Sequence, residues 1–445
     1  MGVAAPLVLD AQEAGTIAFR ASFGGAVSPG QLASTGKADF VGRVASVDRA
    51  VAALERLGHV QIDTISVVER AHHHILWSRD REYRSSVLPT LEAEPRRAFE
   101  YWAHAAAYLP LSDYRYCLPR MRRIAAQGHE WFPSDRRVVD WVRDRIRAEG
   151  PLRSQDFAGD GPRGPWWDWK PAKAALEYLF QSGELMVAAR PGFQKLYDLA
   201  ERVLPADTDT SFPSEDEMGD WYVRQAASAL GVFTLRDIAY QRKDTTAGIA
   251  RALDKACEEG RLQPCVVRES SAVAAGPAGN TGKAGGGGNV GKGGSFGKAG
   301  AGGQFVRSWC DSGLLSRYAG CGAPESGDGD SGGGEDRPVR ILSPFDNLII
   351  NRKRASRLFG LDYTLECYVP AAKRRFGYFG LPVFYQGRPV GLLDCKADRK
   401  NNVLIINRAV FGWGADPAES PAGFAEAFAV ELASFTVFNG CIVSR

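Results

Sequence analysis

The sequence predicts an α+β fold in which tandem winged-helix (helix-turn-helix) units precede a C-terminal antiparallel β domain. Three observations predict it. The order helix, short helix, helix, hairpin occurs twice. The third helices of the two copies align at a constant offset of 77 residues, Ala175-Leu176 on Ala252-Leu253, Gly183 on Gly260 and Leu185 on Leu262. Beyond residue 339, strand-forming segments alternate with Pro, Gly and Asp-Arg-Lys turns.

Residues 9–21 are expected to form a helix, followed by a Gly/Ser-rich connection. Ser46 reads as the N-cap of the next helix, where Val47, Val51, Leu54 and Leu57 recur at helical spacing and Gly58 stops it. A short strand follows. Side chains alternate along a strand, so Val60 and Ile62 face one way and Gln61 and Asp63 share the other, exposed face. An amide and a carboxylate so placed can hold a water molecule and stabilise positive charge. For the tripeptide alone, a strand-edge glutamine with Asp63 capping a turn is the plainer account.

The second unit opens near Arg137 with the stripe Val138, Val139, Val142 and Ile146, ended by Gly150. A short helix is expected over 151–158. Pro171 then opens a third helix through Leu176, Leu179 and Phe180, and a hairpin follows at 184–190 and 193–196. In the second copy the helices are 222–230, 234–239 and 247–259. The N-terminal region, with helices leading into a strand, reads as a more diverged winged-helix-like unit. Residues 269–338 are Gly-dominated around an island at 305–318, and such a composition buries too little apolar surface to offset chain entropy. In the last domain strands are expected at 363–369, 376–384, 389–394 and 402–407, with a closing helix over 424–438. The units are therefore 1–135, 136–205, 206–268, a disordered insertion 269–338, and 339–445.

At 445 residues the chain has room for several cores, and its net charge of +3 names no partner. The distribution of charge says more. From Arg340 to Val410 there are thirteen Lys/Arg and five Asp/Glu, a local excess that suits a polyanion. Lys373, Arg374 and Arg375, then Lys396, Arg399 and Lys400, lie on or beside turns from which long cationic side chains reach phosphates, with Arg352, Lys353 and Arg354 nearby. The eight cysteines lack metal-ligand spacing, and no run of eighteen apolar residues occurs, so a soluble intracellular protein without membrane attachment is expected. His72-His73-His74 cannot converge on one ion from adjacent positions, so no metal and no cofactor is expected. Beside Arg70 and Trp77 these imidazoles read as groups that meet phosphate or stack on a base. No nucleophile elbow and no phosphate-cradling loop is present.

Gln61-Ile-Asp63, Glu69-Arg-Ala-His-His73, Leu76-Trp-Ser-Arg79 and Tyr101-Trp-Ala-His104 together resemble the winged-helix DNA glycosylases of the YcaQ/AlkZ-like, crosslink-repair group. So do Ser343-Pro-Phe-Asp346, Arg357-Leu-Phe359, Tyr368-Val-Pro370, Lys373-Arg-Arg375 and Asp394-Cys-Lys-Ala-Asp-Arg399. The resemblance covers nearly the whole chain outside the insertion. It implies tandem winged helices and a β domain surrounding duplex DNA. The activity it implies is hydrolysis of the N-glycosidic bond of alkylated purines, notably N7-alkylguanine, and unhooking of N7-linked interstrand crosslinks, leaving abasic sites. The catalytic motif maps onto Gln61, Ile62 and Asp63. The DNA-contacting set maps onto Arg70, His72, His73, Trp77, Arg79, Trp102, His104 and the six cations of the β domain. The expected partner is double-stranded DNA with alkylated or crosslinked guanine, met by a monomeric, monofunctional enzyme in the cytoplasm at the nucleoid, or in a nucleus if the source is eukaryotic. Asn347, Ile350-Asn351 and His74 depart from the family pattern.

The chemistry suits one carboxylate. An N7-alkylated guanine is cationic and already a good leaving group, so the enzyme has to stabilise an oxocarbenium-like sugar and position a water. A non-catalytic tandem winged-helix regulator is the alternative, predicting sequence-selective binding without base release. The third helices are weakly basic, with Lys173 in one and Arg251 and Lys255 in the other, which argues against it.

Overall fold

The two repeats form because their apolar residues fall on one helical face and a glycine ends each of the longer helices. A computed structural model describes residues 7–24, 38–93, 95–128, 135–157, 169–240, 242, 246–269, 305–320, 338–413 and 420–444. In the first repeat, Val138, Val139, Val142 and Ile146 bury one face of helix Arg136–Glu149, and Gly150 at φ +91° stops it. Strand Leu152–Arg153, a 3-10 turn Ser154–Phe157 and helix Trp169–Gln181 follow, then strands Leu185–Ala189 and Leu196–Leu199. In the second repeat, helix Glu215–Leu230, strand Val232–Phe233, helix Leu235–Ile238 and helix Thr246–Glu258 precede strand Leu262–Arg268. Residues related by the 77-residue offset play equal parts: Ala175 and Ala252, then Leu176 and Leu253, are buried, and Gly183 and Gly260 both adopt positive φ.

Tertiary pairing redraws the expected boundaries. The island inside the expected insertion is structured. Phe305–Asp311 runs antiparallel along the whole of Leu262–Arg268, burying Trp309 and Cys310, and Ser312–Gly320 continues as a helix. The second repeat thus extends beyond 268, because the partner strand of its hairpin is supplied from the far side of the Gly-rich tract. Residues 270–304 and 321–337 lie outside the described residues. The N-terminal segment also departs from the 1–135 unit: Leu7–Leu9 pairs parallel with residues 265–267, and Leu9, Ala14, Ile17 and Ala18 share a core with Cys265, Val267 and Leu358. Ser46 is no cap. Helix Ala38–Leu57 runs through it, and its hydroxyl is buried with no hydrogen-bond partner among the described residues. Gly58, at φ +71°, does end that helix.

In the last domain the strand order is Val339–Ile341, Leu381–Tyr385, Arg388–Asp398, Val403–Phe411, Val443–Ser444, antiparallel except for the final pair. The strand expected at 363–369 is absent. Tyr363 is buried there and Glu366–Tyr368 is a 3-10 turn. Helix Phe424–Phe438 closes the domain, with Phe435 fully buried against Trp77 and His74. Helix Ala71–Arg79 is consequently part of the same core as the β domain. Arg79 forms a buried ion pair with Asp346, 267 residues away, and His74 Nε2 meets the Ile341 carbonyl at 2.9 Å. This joint fixes the connection between strand Val60–Gln61 and helix Ala71–Arg79 against the β domain. Among the described residues no helix is long and apolar enough to cross a membrane.

Candidate active site

Three short strands carry the site. Val60–Gln61 lies antiparallel to Ala106–Pro110, with Gln61 opposite Ala107, and Ala106–Pro110 pairs in turn with Ala98–Trp102. The turn between the latter two is closed by the Ala103 N–H on the Ala105 carbonyl at 2.9 Å, placing His104 at its tip. There His104 Nε2 lies 2.9 Å from Gln61 Oε1. A carboxamide oxygen only accepts, so this nitrogen carries the proton. The His59 ring stands edge-on to His104 with centroids 5.0 Å apart, and the Tyr240 ring centroid lies 6.0 Å from it. Burial and then the Arg242 guanidinium push His104 down to about 4, and burial and then His104 push His59 well below its ordinary value. Both imidazoles are neutral at physiological pH.

The regular strand ends at Gln61, although the Ile62 N–H still reaches the Ala106 carbonyl at 2.8 Å. Gln61 and Asp63 therefore do not share an open face as alternation predicts. Gln61 is 9% exposed, covered by the hairpin tip. Asp63 is half-buried on the connection that follows. Its Oδ1 accepts the Ile65 N–H at 2.7 Å, so the turn-capping role is real, while its Oδ2 accepts no hydrogen bond among the described residues. Burial raises the Asp63 carboxyl above the usual carboxylate value, opposed by that N–H. Burial and then the Asp63 charge raise the Cys367 thiol, which brings the loop around Glu366–Tyr368 into the field of the carboxylate.

The connection is pinned at both ends. Asn347 Nδ2 donates to the Leu57 and His59 carbonyls at 3.2 and 3.0 Å. Further along, the Val67 carbonyl accepts the Ala397 N–H at 2.8 Å, the Glu69 N–H donates to Asn439 Oδ1 at 2.6 Å, and Arg399 lies 3.6 Å from the Glu69 carboxylate. The basic loop beside it has its own anchor. Buried Glu366 accepts the N–H groups of Arg375, Phe376 and Gly377 at 2.9, 2.7 and 3.3 Å. Sequence patterning missed this carboxylate, whose only local signal is an acid within a basic region.

The expected DNA-contacting residues divide. Lys373, Arg375, Lys396, Arg399 and Lys400 are exposed, and Arg374 is half-buried with Nε on the Val369 carbonyl at 2.8 Å. Trp102 and His104 are half-buried and line a cleft of about 1220 Å³ with Arg120, Arg123, Tyr240 and Arg242. The helical set is corrected. His72 is buried and stacks on Phe193 at 5.6 Å, Trp77 is buried against Phe438 at 4.7 Å, and the guanidinium of Arg79 is consumed by Asp346. Arg70 covers the Phe193 ring at 4.1 Å, and His73 Nδ1 meets the Tyr83 hydroxyl at 2.8 Å. These side chains hold helix Ala71–Arg79 between the first repeat and the β domain. Arg354 is likewise buried, donating to the Leu348, Leu230 and Val232 carbonyls. Of Arg352, Lys353 and Arg354, only Lys353 is exposed.

A family model described as DNA glycosylase AlkZ-like matches residues 54–291 and 295–438. Among solved structures, the DNA glycosylase AlkZ of Streptomyces sahachiroi has the same fold, with a TM-score of 0.54 at 14% sequence identity over 98% of each chain.

Proposed function

The chain belongs to the AlkZ-like DNA glycosylase family, a DNA-binding repair hydrolase of N-glycosyl bonds, and from that premise we propose that it excises N7-alkylguanine and unhooks N7-linked interstrand crosslinks. The observation that carries the catalytic assignment is Asp63 itself: a half-buried carboxylate with one oxygen committed to the turn and no hydrogen bond to the other among the described residues, two positions after the held amide of Gln61. Asp63 stabilises the developing oxocarbenium ion at C1′ and takes a proton from the attacking water. The glycosidic electron pair passes to the base, which leaves neutral because its N7 was cationic. Gln61 orients the water through its amide. One carboxylate is enough, since the leaving group needs no protonation.

The two repeats are read as winged helices that cradle the duplex. The exposed cations of the β domain meet the phosphates on the side where Arg399 approaches Glu69. The enzyme acts as a monomer and as a hydrolase alone, without an amine adduct to the sugar.

Incubation of N7-methylguanine-containing and nitrogen-mustard-crosslinked duplexes with the protein is expected to release free base and leave alkali-labile abasic sites. Borohydride is expected to trap no covalent complex. Asp63→Asn is expected to slow release by two or more orders of magnitude with an unchanged thermal midpoint. Wild-type release by Asp63→Asn removes Asp63 from catalysis. Sequence-selective binding without release at any enzyme concentration replaces the enzyme by a DNA-binding regulator.

A further inference from the structure

We infer that His104 is a positioning residue for Gln61, holding its carboxamide in one orientation rather than contacting DNA. The inference rests on the reading of Gln61 as the residue that orients water. A glutamine side chain has three rotatable bonds and a terminal amide with two faces and two chemically different ends. Left alone it samples many arrangements, of which few present the correct group to a water.

The structure removes that freedom from two directions. Antiparallel pairing of Gln61 with Ala107 fixes the backbone, and the hairpin turn closed by Ala103 and Ala105 carries His104 back over the side chain. Its Nε2–H then donates to Gln61 Oε1 at 2.9 Å. The hydrogen bond commits Oε1 to the hairpin tip and leaves the amide N–H groups, with the second lone pair of Oε1, for the site. The imidazole is itself held: His59 stands edge-on at 5.0 Å and Tyr240 lies at 6.0 Å. Burial, and then the Arg242 guanidinium, keep the imidazole neutral, so it presents a single N–H in a defined direction. A residue so placed acts on the reaction through Gln61.

The test is a double-mutant cycle read in single-turnover base release at saturating enzyme, with duplex affinity measured separately. His104→Ala is expected to slow release on the order of a hundredfold, the size of effect that follows from misplacing a reacting group, with duplex affinity unchanged. His104→Gln, which keeps a donor near the same point, is expected to recover most of the rate. His104→Ala combined with Gln61→Ala is expected to be no slower than Gln61→Ala alone, because the two residues act as one unit. Losses that multiply in the double variant, or a full rate in His104→Ala beside an impaired Gln61→Ala, overturn the positioning role and leave Gln61 in place. Weakened duplex affinity with an unchanged rate also overturns it, making His104 a DNA contact. A full rate in Gln61→Ala removes the reading of Gln61, and this inference with it.

Discussion

Asp63 caps a turn, and in the proposed reaction the same side chain acts as the base. Its bonded oxygen orients the carboxylate and its burial keeps the carboxyl pKa above that of a free aspartate. As the proposed base, Asp63 must be ionised, so the rate is expected to fall as pH drops through this raised value, in a window above the ordinary 3.8. A pH profile of enzymatic release, corrected for spontaneous depurination, measures that limb. An acid limb that persists unchanged in the residual activity of Asp63→Asn assigns it to another group. His74 gives the complementary prediction for stability. Burial pushes it down to about 4 from the ordinary 6.5, so between those values the unfolded chain binds the proton and the folded chain does not. Stability is full above pH 6.5 and lost as pH falls, by roughly 2 kcal/mol at pH 5 from this residue. Urea denaturation at pH 7 and pH 5 should show a smaller loss in His74→Leu than in the wild type.

At the scale of elements, the strand Phe305–Asp311 is the clearest case of long-range pairing overriding local composition. Its flanks read as linker, yet Trp309 sits in the core with Val223 and Leu262. Trp309→Ala is therefore expected to destabilise the protein by about 3–5 kcal/mol, as truncation of a buried aromatic does. A residue in a solvated insertion would leave the urea midpoint where it was. The hairpin of the first repeat has a comparable second use. Arg190 forms an ion pair with Glu100 and Phe193 stacks on His72, so its tip is docked on the N-terminal region. Tandem order along the chain anticipated the first repeat's hairpin, but only packing decided which surface it covers and which strand completes the second.

Across the whole molecule, the connection from Gln61 to Arg70 is held by three separate parts of the chain. The hairpin tip covers its start, Asn347 holds its entrance, and the turn bearing Lys396, Arg399 and Lys400 holds its far end. The exposed cations at that junction make one testable electrostatic unit. Replacing Lys373, Arg375, Lys396 and Lys400 with glutamine is expected to weaken binding to any duplex sequence. The slope of log affinity against log salt should drop by about 0.9 for each cation that meets a phosphate. An unchanged slope, measured by salt titration, moves the phosphate contacts elsewhere.

By itself the sequence determined the repeat, the glycine stops, the closing helix and the Gln61-Ile-Asp63 candidate. Each is written in local spacing: a 3.6-residue stripe, a residue tolerant of positive φ, or a short motif. Only the tertiary structure decided which of many cationic and aromatic residues remain available to a ligand. Arg79 and Arg399 look alike in a basic sequence, yet one is sealed against Asp346 and the other is exposed. Availability depends on partners hundreds of residues away, and a buried charge persists only where such a partner neutralises it. The same holds for the opening motif. Alternation placed Gln61 and Asp63 side by side on an open face, whereas the hairpin tip carrying His104 covers one and the turn at Ile65 holds the other.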